Sequence, residues 1–163
     1  MAPIEVDAAH FSADTRNFVR HLHEFEVKYV VVGGEAVIFH GYVRLTGDVD
    51  FFIANDPDNA RRLYSALEKF WEGDVPGIAS PAELTAVDLI VQFGMPPNRI
   101  DIMTSVAGVD FNEAWAGRVP AVMVDGEQRT PIPYLGVEAL IKNKRAAGRP
   151  KDLDDLEHLD SAE

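Results

Sequence analysis

Asp48 and Asp50 stand two apart in the run GDVDF, and a third aspartate, Asp101, sits in RIDIM. Alternate side chains leave a strand from the same face, so the first pair is expected to hold its carboxylates side by side. Two like charges about 4 Å apart repel by on the order of 4 kcal/mol at an effective dielectric near 20, and something must neutralise them. Mg²⁺, or Mn²⁺ in its place, does this with oxygen ligands. In RIDIM the alternation sends Ile100 and Ile102 to one side of a sheet and Asp101 to the other, an odd setting for a carboxylate unless something there needs it. The chain has no cysteine, so oxygen or imidazole must hold any metal. The histidines are scattered, with His21 and His23 on different faces of a helix, and they read as structural or solvated. His40 is the partial exception, because HGYVR adjoins the aspartates.

The elements that position these residues can be read from patterning. Phe11 through Phe25 has helical apolar spacing. YVVV is a short β-prone run ending at Gly33-Gly34, and EAVIFHGY follows as a short helix. VDFFIA reads as a strand stopping at Asn55-Asp56-Pro57, where Asp56 caps a helix whose apolar stripe runs from Ala60 to Trp71 and which Gly73 closes. Ser80-Pro81-Ala82-Glu83 has the form of a capping box, and VDLIVQF and RIDIMT read as neighbouring strands. Asp125-Gly126 marks a hairpin, and two helices follow, separated at Gly148 and Pro150.

At 163 residues and 47% hydrophobic, the chain is expected to form one domain over 1–163, with a core at about 27–105 and a hairpin and helices at about 119–160. The absence of a long apolar run or a signal-like N-terminus predicts a cytoplasmic protein without membrane association. A formal net charge of −12 disfavours extended nucleic-acid binding. One local exception is the group Lys142, Lys144, Arg145, Arg149 and Lys151.

Strand, glycine turn and helix, then paired aspartates about fourteen residues on, then an inward carboxylate on another strand, together resemble the polymerase-beta-type nucleotidyltransferase superfamily. GGEAVIFHGYVRLTGDVDF looks most like its small bacterial branch of unassigned or toxin–antitoxin-linked members, and LIKNKRAAGRPKDLDDLEHL is similar to their C-terminal helices; the resemblance spans roughly Tyr29 to Leu159. It implies an α/β (α+β) fold with a mixed β-sheet flanked by helices and with C-terminal helices. It also implies that Asp48, Asp50 and Asp101 bind Mg²⁺, with Asp101 accepting a proton. The implied reaction moves a nucleoside monophosphate from a nucleoside triphosphate to a hydroxyl of a small molecule or protein, releasing pyrophosphate. Many members have Gly-Ser where this chain has Gly33-Gly34, so a serine hydroxyl is missing, although backbone N–H groups there can still cradle a phosphate. Arg44 and Thr46 are candidates to orient phosphate or acceptor, the alternative for an exposed arginine being plain solvation. Lys142 and Lys144 are candidates for the β- and γ-phosphates, the alternative being cations that complement a helix C-terminus. A reading different in kind is a partner-binding module, one half of a toxin–antitoxin pair.

Overall fold

The computed structural model describes residues 2–162. In chain order the elements are β1 (Ile4–Asp7), a 3-10 turn (Ala8–His10), α1 (Ala13–Glu24), β2 (Tyr29–Val32), α2 (Gly33–Phe39), β3 (Asp48–Ile53) and α3 (Pro57–Trp71). A second 3-10 segment (Pro81–Thr85) leads to β4 (Ile90–Phe93), β5 (Arg99–Met103), α4 (Phe111–Ala116), β6 (Val119–Asp125), β7 (Gln128–Tyr134), α5 (Val137–Ala147) and α6 (Pro150–Ala162). The strands form a single mixed sheet in the order β1-β6-β7-β2-β3-β5-β4.

The sheet is buried on both sides at its centre, which explains why YVVV is apolar at every position and not alternating. Tyr29, Val31, Phe51, Ile53, Ile100 and Ile102 point into a core closed by α1 and α3. Val30, Val32 and Phe52 point into a second core with residues of α2, α4, α5 and α6. Ile100 and Ile102 thus fall on the side that the alternation of RIDIM predicts, and Asp101 takes the other.

Local signals account for the element ends. Ser12 Oγ accepts the Thr15 N–H at 3.1 Å at the start of α1, and Asp56 Oδ2 accepts the Asn59 N–H at 3.0 Å at the start of α3. The stop of α3 differs slightly from expectation. Glu72 takes the left-handed conformation (φ 54°), and Gly73 then donates its N–H to the Glu68 carbonyl at 3.0 Å. The Asp125-Gly126 signal becomes a two-residue β6–β7 turn, since Asp125 pairs with Gln128.

Two features lie outside the sequence expectations. Strand β1 adds to the sheet edge parallel to β6, and the β6–β7 hairpin belongs to the main sheet, with β7 meeting β2 at the Val31–Tyr134 pair. Pro131 and Pro133 supply no backbone donors, consistent with so short a junction.

Candidate metal and phosphate site

Antiparallel β2 runs toward the site and parallel β3 and β5 run away from it, so the end of one strand and the starts of two others converge. Register decides what meets. Asp48 lies opposite Arg99, Asp50 opposite Asp101, and Asp50 also opposite Val32, the last residue before the glycine turn. A slip of one residue between β3 and β5 would turn Asp101 to the other face. In the observed register, one carboxylate oxygen from each of Asp48, Asp50 and Asp101 lies within 4.8 Å of the others.

Arg99 offsets part of this charge. Its Nη2 donates to Asp48 Oδ2 at 2.7 Å and to Asp101 Oδ2 at 3.0 Å, while Nε donates to Asp101 Oδ1 at 2.8 Å. Gln92 donates to Asp101 Oδ2 at 3.3 Å, and Thr46 Oγ1 donates to Asp48 Oδ1 at 3.1 Å. Asp50 is left differently: its Oδ1 is buried without a hydrogen-bond partner. Burial, then the negative charges of Asp48 and Asp101, push its pKa up to about 7. With all three acids ionised and one guanidinium present, two negative charges remain in excess. An orphaned oxygen and that excess fit a divalent cation with hard oxygen ligands.

The glycine turn closes on this cluster. Gly33 has φ +64°, and a Cβ there would overlap the Asp50 carboxylate. A Cβ on Gly34 would lie 2.7 Å from Thr46 Oγ1. Gly33 is therefore favoured by both its backbone conformation and its close approach to Asp50, whereas a side chain at Gly34 would have to displace the Thr46 side chain.

The triad opens on a cleft of about 450 Å³ that Gly33, Gly34, Arg44, Thr46 and Lys144 also line. The structure does not bring Lys142 to it. That side chain reaches the other way, with Nζ donating to both Glu113 oxygens at 3.0 Å. Arg44 and Lys144 are engaged with carboxylates and not free. Arg44 Nε and Nη2 donate to the two oxygens of Asp155 at 2.9 and 3.0 Å, and the buried Lys144 Nζ sits 3.1 Å from both Asp152 and Asp155. Burial acts to raise the Asp152 pKa, but Arg149 and Lys144 hold it below the usual carboxylate value. His40 is structural, with Nε2 2.7 Å from the Leu135 carbonyl.

Sequence reasoning passed over Arg99, Gln92 and Asn143, and it noted Arg149 and Lys151 without assigning them to the cleft they line. Arg99 had a usable signal, because it stands two before Asp101 on the same strand and must share its face. Lys151 makes no ion pair among the described residues, and its charge favours the ionised form of Asp50.

A family model described as "Nucleotidyltransferase of unknown function (DUF6036)" matches residues 13–161, which include the whole triad, the glycine turn, α5 and all but the last residue of α6. A search of curated proteins found no match.

Proposed function

We propose that this chain, which belongs to the family of nucleotidyltransferases of unknown function DUF6036, transfers a nucleoside monophosphate from a nucleoside triphosphate to a hydroxyl of a small molecule or protein. The carrying observation is the convergence of Asp48, Asp50 and Asp101, together with an Asp50 Oδ1 that is buried and unpartnered. These three residues would hold Mg²⁺ or Mn²⁺, which when bound supplies charge neutralisation for the triphosphate. Gly33 and Gly34 let the backbone approach a phosphate closely, Thr46 fixes Asp48, and Arg44 and Lys144 shape the cleft wall. Lys151 is the cation without an ion-pair partner among the described residues that can meet phosphate oxygens.

In the reaction the acceptor oxygen forms a bond to the α-phosphorus as the bond to the bridging oxygen breaks. Pyrophosphate departs with the electron pair, and the hydroxyl proton passes to Asp101. The protein contributes mainly position and fixed charge. A cytoplasmic setting belongs to the same reading, consistent with the lack of any helix among the described residues that is long and apolar enough to cross a membrane.

Calorimetric titration with nucleoside triphosphates, with and without Mg²⁺, tests the site. Metal should strengthen nucleotide binding in the parent chain and have no such effect in an Asp48→Asn, Asp50→Asn double variant. Undiminished metal-dependent binding in the variant would remove these ligands. A partner-binding role gains support from Val43 and Leu45, which are 87% and 95% exposed in the segment leading to β3. Persistent absence of transfer across broad acceptor screens, with nucleotide binding intact, would favour that role.

A further inference from the structure

A second cavity, of about 260 Å³, meets the first at Arg44, Thr46 and Asp48. Its chemistry differs from that of the phosphate cleft. His10 and Glu35 supply its polar side, and Phe11, Ile38 and Pro97 contribute apolar wall.

Glu35 is 4% exposed, and both of its oxygens lie close to His10 Nε2, at 2.8 and 2.9 Å. A carboxylate in that position keeps the proton of the neutral imidazole on Nε2 and leaves the lone pair on Nδ1. Nδ1 makes no hydrogen bond among the described residues, and the His10 side chain is 43% exposed. The imidazole is therefore oriented from behind, with one acceptor nitrogen unused by the protein. Burial pushes the Glu35 pKa above its usual value even though His10 opposes the shift, and the charges of Asp48 and Arg44 act on it more weakly. His10 precedes the residues matched by the family model, whereas Glu35 lies within them.

Glu35 and Asp48 disfavour an anion in this cavity, and a cation gains little there because Glu35 is already hydrogen-bonded to His10 and Asp48 accepts from Arg99. Nδ1 asks for an O–H donor, and the apolar wall for a C–H face. At about 30 Å³ per water, the volume is roughly that of nine waters, enough for one small ring compound.

We propose that this cavity is the acceptor subsite and takes a small neutral polyhydroxylated molecule. One hydroxyl donates to His10 Nδ1, the C–H face rests on Phe11, Ile38 and Pro97, and another hydroxyl is directed past Asp48 toward the α-phosphorus. The assignment deepens the nucleotidyl-transfer reading and rests on it. His10 binds the acceptor, and Glu35 is a positioning residue that sets the tautomer.

The test is histidine ¹⁵N NMR on the full chain during titration with a panel of monosaccharides and cyclitols, with Mg²⁺–ATP binding measured separately by calorimetry. Free protein should show His10 as the Nε2–H tautomer. At least one panel member should shift its resonances saturably. His10→Gln should weaken that binding about tenfold, the scale of one lost hydrogen bond, and leave Mg²⁺–ATP binding unchanged. Ile38→Phe, which narrows the cavity without touching the dyad, should also weaken it. If no panel member perturbs His10, or if both folded variants bind the compound as the parent does, the subsite is wrong. Loss of Mg²⁺–ATP binding in the parent with polyol binding intact would instead sink the nucleotidyl-transfer reading.

Discussion

Asp50 and Asp101 face each other across one pair of strands yet are held very differently. Arg99 grips Asp101 through two of its nitrogens, whereas one oxygen of Asp50 is buried without a partner. In metal-free protein the folded-state pKa of Asp50 is about 7, above its ordinary value of 3.8. The folded chain then holds the extra proton, so this contribution to stability is full below about pH 4 and is lost as pH rises through 7. Asp50→Asn should therefore stabilise the metal-free protein at pH 8 by on the order of 1–2 kcal/mol, well under the full single-site shift because neighbouring acids share the strain. The gain should vanish near pH 4, and urea denaturation at the two pH values checks it. Metal affinity should climb as pH passes upward through about 7, because ligation needs the ionised carboxylate. Asp101→Asn should leave nucleotide binding in place while transfer falls about 10²-fold or more, the scale of a positioned general base. That corresponds to about 2.7 kcal/mol of transition-state stabilisation. Unchanged transfer by the folded variant would take Asp101 out of the mechanism.

Elements confine these residues through turns and long-range ion pairs. At the start of α2, Gly33 combines positive φ with contact against Asp50, so Gly33→Ala should cost about 1–3 kcal/mol and displace the Asp50 carboxylate. Thermal melting together with metal-dependent nucleotide binding measures both effects; a variant with parent-like values for each would contradict the packing described. Helix α6 acts at longer range. Asp155 receives Arg44 from the loop before β3 and Lys144 from α5, while Asp154 accepts the Tyr42 hydroxyl at 2.9 Å and His158 stacks on the Tyr42 ring. Lys144→Met would take the buried cation from between Asp152 and Asp155, leaving them to Arg149 and Arg44, and should destabilise the chain by about 1.5–3 kcal/mol, the scale of hydrogen bonds to charged groups. Lys142→Met, which removes an exposed pair with Glu113, should cost no more than about 1 kcal/mol. Equal losses in the two variants would argue against the distinct roles of these lysines.

For the whole molecule, a formal charge of −12 surrounds a cleft that gathers Arg99, Arg149 and Lys151 in one place. The cations are local, while the repulsion of a polyanion acts over the surface. Gel-shift titration at 0.15 M salt should accordingly find duplex DNA binding weaker than a dissociation constant of about 10⁻⁴ M, the weak end of non-specific DNA binding. Tight, salt-sensitive duplex retention would show that a basic surface had been overlooked.

The sequence by itself determined the elements whose causes are local. Alternation placed Asp101 opposite the Ile100 and Ile102 side, Asp56-Pro57 started α3, and Asp125-Gly126 turned the hairpin. The DxD spacing put Asp48 and Asp50 on one face, and its context pointed to the nucleotidyltransferase family. Tertiary structure decided what depended on partners distant in the chain. The β3–β5 register brought Arg99 onto Asp48, packing of α6 engaged Arg44 and Lys144, and the preceding turn carried His10 to Glu35. Residues 142 and 144 show the limit well: both are lysines on one helix, but two positions turn a helix by about 200°, so one met Glu113 outside the cleft and the other the buried aspartates of α6. Periodicity states that such residues diverge; it does not state what waits on each side, because that is set by packing between elements.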